Sequence, residues 1–332
     1  MSSTVETADS LFAEIRRGQR RALARSLSLL ESSLPADREL AYALLERCQH
    51  QPNPSWRIGC TGPPGVGKST FIERLGCILT DAGRRVAVLA VDPSSRRTGG
   101  SILGDKVRMP ELGQRDTAFI RPTPSKATLG GAAPSTRDAI LLCEQAGFDT
   151  IIIETVGVGQ SETDVATMVD MFLLLALPNS GDDVQGIKRG IMEVAHAVLV
   201  TKSDLDEAAS KRSAAQITGA LRYMIPMASD WQTPVHVVSN ATGDGFDAVV
   251  DVLRRFFDQG RVATIEQLRR EQRGEWFDRV LSSEMVQRLH DMPEFRMACD
   301  TAREQCVHGS MAPSLGVHRL LDRIQMSITE VP

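Results

Sequence analysis

The spacing of apolar residues divides the chain into three stretches. In the first, Leu11, Ile15, Ala22, Leu23, Leu27, Leu30, Leu40, Leu44 and Leu45 recur at helical intervals. Pro35-Ala36-Asp37 marks a break with a fresh start, and Gln51-Pro52-Asn53-Pro54 reads as a linker because proline cannot continue a helix. Arg16, Arg17, Arg20, Arg21 and Arg25 lie between the apolar positions and read first as a solvated face.

The second stretch alternates strand-like with helix-like runs. Ile58 and Cys60, Arg85–Val91, Ala118–Arg121, Thr150–Ile153, Met171–Leu177, Ala197–Val200 and Val235–Val238 read as strands, and Thr136–Gly147 as a helix. Several of these strands are apolar throughout, as in a parallel sheet covered on both faces. The expectation is an α/β fold: a doubly wound, mostly parallel sheet flanked by helices, with ligands at the carboxyl ends of its strands.

From about Gly245 the period is helical again. Val249, Val250, Leu253, Phe256 and Phe257 form one stripe, continued by Ile265, Leu268, Trp276, Phe277, Val280, Leu281, Met285, Val286 and Leu289. This tail either wraps the sheet domain or pairs with a second copy. Helices outside a sheet need somewhere to bury their stripes, which favours a partly intermolecular role. The expected division is N-terminal helices over residues 1–54, a sheet domain over 55–258 and a helical dimerisation extension over 259–332.

Composition narrows the field only modestly. The net charge of −4 implies no general affinity for nucleic acid or anionic membrane. The six cysteines are scattered, with neither C-x-x-C nor a His-rich tract, so no disulfide framework or metal store is indicated. With no leader-like segment and no long apolar run, a cytoplasmic location is expected.

The chemistry concentrates in Gly62-Pro63-Pro64-Gly65-Val66-Gly67-Lys68-Ser69-Thr70, which fits G-x-x-x-x-G-K-[ST] between a strand and a helix. In such a P-loop, backbone N–H groups and the helix N-terminus cradle phosphates, Lys68 reaches the β/γ-phosphates and the Ser69 hydroxyl ligates Mg²⁺. The nine residues are therefore candidate nucleotide ligands and Lys68 a candidate catalytic residue.

Three acidic segments follow. Asp92 ends the second strand, placed to hold Mg²⁺ or its water, to orient the attacking water, or merely to cap a helix. Thr98–Met109 is glycine-rich. Within it Asp105 could join the magnesium sphere when the loop closes on the γ-phosphate, while Arg108 could steady phosphate charge, face a partner or simply lie on the surface. Glu154 ends an Ile-Ile-Ile strand with Gly157 three residues on, like a second switch: a carboxylate for magnesium and an N–H that senses the γ-phosphate. Gln160 and Glu162 are further switch candidates. Asp92 and Asp105 complete the catalytic set, and Ser69, Asp92, Asp105 and Glu154 the metal set.

Thr201-Lys202-Ser203-Asp204 stands where GTPases carry Asn-Lys-x-Asp. Asp204 would accept hydrogen bonds from guanine N1 and N2, and the Lys202 stem would cover the ring. Thr201 replaces an asparagine that tethers the loop, so guanine preference should survive. Ser239-Asn240-Ala241-Thr242 resembles the last base-contact loop.

Together with Leu129-Gly130-Gly131 and Gln185–Glu193, these segments closely resemble the MeaB-type GTPases, the family of the cobalamin-A protein and ArgK, over residues 10–260 and, by arrangement only, in the tail. Thr201 departs from the family pattern, as do Pro178–Asp183 and Thr123–Thr128. The resemblance implies a Mg²⁺-dependent GTPase that turns GTP into GDP slowly and is accelerated by its partner, methylmalonyl-CoA mutase. It implies a homodimer that gates adenosylcobalamin delivery and protects the mutase, works beside an adenosyltransferase and binds no cobalamin itself. The loop from Leu177 to Lys188 resembles a third switch, where Asp182, Asp183, Gln185 and Lys188 would report nucleotide state. Two alternatives fit the sequence less well: a small-molecule kinase, for which no clear arginine-rich lid is present, and a nickel-delivery GTPase, for which the His or Cys tract is missing. No arginine finger within the chain is evident, consistent with slow turnover raised by a partner.

Overall fold

The computed structural model describes residues 7–32, 34–48, 55–92, 109–124, 134–155, 161–178, 189–224, 231–258 and 260–329. They fall into two compact units, Met1–Gln272 and Arg273–Pro332.

The first unit opens with α1 (Ala8–Arg16), α2 (Arg20–Glu31) and α3 (Pro35–Arg47). The apolar spacing predicts one break here; the structure has a second, where the chain turns at Arg17-Gly18. These helices bury Leu11, Ile15, Leu23, Leu27 and Leu44. The arginines between them are only partly a solvated face. Arg16 donates to Gln145 Oε1 (3.3 Å) and Arg20 to the Arg115 carbonyl (2.9 Å), tying the helices to the sheet domain.

Seven strands follow: β1 (Trp56–Thr61), β2 (Val86–Asp92), β3 (Ala118–Pro124), β4 (Thr150–Thr155), β5 (Met171–Ala176), β6 (Ala197–Val200) and β7 (Val235–Val237). They form one parallel sheet in the order β3-β2-β4-β1-β5-β6-β7. Every residue of β4 and β5 is buried, which explains their unbroken apolar runs. β3 extends past the predicted Arg121 because its residues through Pro124 pair with β2. As an edge strand it tolerates Pro122 and Pro124, whose missing N–H groups no outer neighbour requires.

The intervening helices are α4 (Lys68–Asp81), the short α5 (Pro110–Gly113), α6 (Pro134–Gln145), α7 (Ser161–Ala166), α8 (Arg189–Val194), α9 (Glu207–Leu221) and α10 (Phe246–Asp258). α4 buries Phe71, Ile72, Leu75 and Leu79, and α10 buries Val249, Leu253, Phe256 and Phe257. Trp56 stacks on Phe257 with centroids 4.8 Å apart.

The sheet's two ends have different chemistry. At the amino end Arg269, on the first turns of α11 (Val262–Asp291), makes a two-pronged pair with buried Asp170: Nε to Oδ1 at 2.7 Å and Nη2 to Oδ2 at 2.6 Å. Arg269 also donates to the Ser55 carbonyl (2.7 Å), and Arg57 pairs with Glu144 (2.8 Å) beside it. This network fixes the start of α11 against the amino ends of β1 and β5. The carboxyl end holds the phosphate loop.

The second unit contains the rest of α11, then α12 (Pro293–Val307) and α13 (Pro313–Thr329). Phe277, Leu281 and Met285 recur every four residues on α11 and are 64%, 46% and 55% exposed, an apolar face open to solvent. Among the described residues no helix is long and apolar enough to cross a membrane.

Candidate functional site

The chain runs outward from β1 to β2 and β3, returns to β4, and then crosses to β5 on the other side of β1. The crevice at the carboxyl end of β1 is therefore a topological switch point, where open α/β sheets bind ligands. The phosphate loop fills it. Gly67 lies at φ +92°, a left-handed conformation that glycine adopts without strain, and it starts α4 without a capping side chain. Uncapped N–H groups and the helix dipole thus converge at the loop. Lys68 is buried; its Nζ donates to the carbonyls of Gly62 (2.7 Å) and Pro63 (3.2 Å), curling the ammonium back over the turn.

Ser69, one residue on, donates from Oγ to Glu154 Oε1 at 2.7 Å. Glu154 is buried at the end of β4, opposite Cys60 of β1 in the strand register. Beside them Thr155 Oγ1 donates to Thr61 Oγ1 (2.8 Å), closing the gap between the two strand ends. A hydroxyl and a carboxylate in contact are hard oxygen donors of the kind that Mg²⁺ takes beside phosphate and water. The residues present therefore fit the ion. Burial, with the Glu154 charge, raises the Cys60 thiol far above its usual range, so this cysteine is no nucleophile.

Asp92 closes β2, and the preceding Val91 pairs with Thr155, which brings Asp92's backbone to the edge that carries Glu154. Its side chain, and residues Asp105, Arg108, Gly157, Gln160, Asp182, Asp183, Gln185 and Lys188, lie outside the described residues.

The segments that the sequence offers for reading the base follow β6 and β7. Thr201 is fully buried, and its Oγ1 donates to the Val66 carbonyl in the phosphate loop (2.9 Å). The hydroxyl thus supplies the tether expected of the asparagine it replaces. Lys202 adopts φ +60°, the one positive φ among described residues other than glycine. Such a conformation costs about 1–3 kcal/mol and persists where surrounding structure enforces it. It lets the chain turn from buried Thr201 to Asp204. There Ser239 Oγ donates to Asp204 Oδ1 (2.6 Å) and accepts the Thr242 amide (3.1 Å), holding the carboxylate in one orientation while leaving it capacity for further donors.

One connection at the site runs between segments that the sequence does not link. Asn240 donates from Nδ2 to the Gly67 carbonyl (3.0 Å), and Arg74 of α4 donates to the carbonyls of Asn240 (3.2 Å) and Ala241 (3.5 Å). Arg74 matches no motif; nothing local marks it out from other helix-surface arginines.

A parallel sheet of this order with a lysine-bearing phosphate loop after β1 defines a P-loop nucleoside-triphosphatase. The family model described as methylmalonyl-CoA mutase-associated GTPase MeaB matches residues 23–294, and the chain belongs to that family. It is 41% identical over 328 residues to the mouse mitochondrial methylmalonic aciduria type A homolog, spanning 94% of this chain and 78% of the relative. It is 40% identical over 316 residues to the GTPase ArgK of Escherichia coli, spanning 94% and 95%. The crystal structure of a LAO/AO transport system kinase superposes with a TM-score of 0.75 at 32% identity, covering 98% of this chain and all of the other. The protein is thus a GTPase of the mutase-associated family, hydrolysing GTP to GDP and phosphate.

Proposed function

We propose that this GTPase gates the loading of adenosylcobalamin into methylmalonyl-CoA mutase and protects the mutase from inactivation. Family membership supports the partner, since the family is described by its association with that mutase. The observation that carries the nucleotide half is the joining of two centres at one sheet edge. Lys68 with the Ser69–Glu154 pair is tied to Asp204 with Ser239 through Thr201.

In this reading Lys68 sets a positive charge against the β/γ-phosphates, and Ser69, Glu154 and Asp92 hold Mg²⁺ directly or through water. Mg²⁺, when bound, offsets negative charge on the phosphate oxygens. Asp204 accepts guanine N1–H and N2–H, and the Lys202 stem covers the ring. Asp92 or Asp105 orients the attacking water, and the Gly157 N–H senses the γ-phosphate. The segment bearing Asp182, Asp183, Gln185 and Lys188 reports that state to the mutase, with Arg108 and Gln160 as further elements. The open apolar face of residues 273–332 pairs with a second copy, giving a homodimer. An adenosyltransferase supplies cofactor in the same pathway.

Co-purification with methylmalonyl-CoA mutase tests the partner. The complex is expected in the presence of a non-hydrolysable GTP analogue, and failure to associate with any nucleotide would remove the mutase while leaving the GTPase.

A further inference from the structure

We infer that Arg74 and Asn240 form a latch between the phosphate-loop helix and the base loop, and that this latch sets how long a guanine nucleotide is retained. The inference rests on the base-site assignment above.

Two contacts run in opposite directions. Asn240 reaches from the base loop to the Gly67 carbonyl, the residue that starts α4 (3.0 Å). Arg74, on the second turn of the same helix, reaches back to the Asn240 and Ala241 carbonyls. Each side therefore donates to the other's backbone, and neither loop can shift without breaking a bond. The arginine is itself held in place. Its guanidinium lies 5.8 Å from the Phe246 ring centroid, and Phe246 in turn packs on Phe71 of α4 at 5.3 Å. Gly243 makes room: a Cβ there would come 3.0 Å from Arg74 Nη1 and 3.1 Å from its Cζ.

The bonded backbone belongs to the loop that abuts the guanine ring, while Lys68 and Ser69 at the head of the same helix act on the phosphates. A nucleotide held at both ends then leaves only when both ends open. With the latch cut, the base loop relaxes independently, and the guanosine half is released first. Arg74 and Asn240 are thus positioning residues. Their effect falls on retention and base preference rather than on the chemistry at the γ-phosphate.

The test compares Arg74→Ala, Arg74→Lys and Asn240→Ala with the unmodified full-length protein, using a fluorescent GDP for release and GTP or ATP for turnover. Arg74→Ala is expected to release GDP about tenfold faster, the size of one hydrogen bond to a charged group. The KM for GTP should rise, kcat should change far less, and preference for GTP over ATP should narrow. Asn240→Ala should shift release in the same direction. Arg74→Lys, which keeps a charged donor, should recover part of the loss and covers the case in which the alanine variant folds poorly. Release rates within twofold of the unmodified protein for Arg74→Ala and Asn240→Ala, or a fall in kcat with retention unchanged, would overturn the latch. Asp204→Ala separates this from the site assignment. If it keeps full GDP affinity, the base site itself is misplaced; if it loses GDP while the latch variants behave normally, only the latch is wrong.

Discussion

The hydroxyl of Thr201 donates to the carbonyl of Val66 across 135 residues of sequence, at 2.9 Å in a fully buried setting. The segment that would read the base and the loop that would hold the phosphates therefore share one hydrogen bond. Thr201→Val keeps the shape and leaves the Val66 carbonyl buried without this donor. It is expected to cost about 1–3 kcal/mol of stability, read from the urea midpoint, and to weaken GDP binding, read by calorimetry. Thr201→Ser, which keeps the hydroxyl, should restore most of both. A valine variant with unaltered stability and affinity would show that the tether is incidental.

The Asp170–Arg269 pair governs attachment of α11 to the sheet. Asp170 also accepts the Arg57 amide (3.0 Å), so its carboxylate serves two elements. Removing one member of a buried pair leaves the other charge uncompensated and typically costs about 3–5 kcal/mol. Asp170→Asn is expected to lower stability by that order, and Asp170→Leu with Arg269→Met by markedly less. Equal losses in the single and double variants would show that the pairing is not the cause.

Two groups, the buried His196 and the partly buried Asp138, titrate in opposite senses. His196 accepts the Phe172 amide at Nδ1 (3.1 Å), and burial, aided by Arg261, pushes its pKa down from 6.5 to about 4. In that window the unfolded chain holds a proton that the folded chain does not, so this contribution to stability is lost as pH falls. Burial pushes the Asp138 carboxyl up from 3.8 to about 6, against the pull of Arg137. Here the folded chain holds the proton, and stability is gained as pH falls through about 6 and lost as it rises. Each effect has a slope of at most about 1.4 kcal/mol per pH unit, so near pH 5 they nearly cancel. His196→Asn should therefore become more stable between about pH 6 and about pH 5, and Asp138→Asn less stable. Identical urea midpoint profiles in both variants and the unmodified protein would contradict this.

The second unit's apolar face makes a prediction about assembly. Phe277 and Leu281 are more than two-fifths exposed on one side of α11. Light scattering should give a dimer for the unmodified protein and a monomer for Phe277→Glu with Leu281→Glu, with GTP turnover reduced less than assembly. A charged variant that remains dimeric would place the interface elsewhere.

Much of this was legible in the sequence because the signals are local. Most of the strands announced themselves as apolar runs, β1 only through Ile58 and Cys60; Gly62–Thr70 follows β1, Glu154 closes an Ile-Ile-Ile run and Thr201–Asp204 follows β6. The strand order was not legible, since it depends on which runs pair rather than on what they contain. Nor were Arg74 or Arg269. Each reads as a solvated helix arginine, and only the close approach of residues about 100 or more apart turns Arg269 into a clamp or Arg74 into a latch. Thr201 was half legible: its departure from asparagine was visible, but that its shorter side chain still reaches Val66 needed the fold. The break at Arg17-Gly18 is hidden in the sequence because the apolar spacing continues across it.

The most direct measurement is phosphate release from GTP by the purified protein, alone and with saturating methylmalonyl-CoA mutase, beside Lys68→Ala. Expected are slow release alone, a rise of at least ~10-fold with the mutase, in keeping with loops completed by a partner, and no release from the lysine variant in either case. Release that the mutase leaves unchanged, at concentrations where the two proteins demonstrably associate, would contradict the coupling.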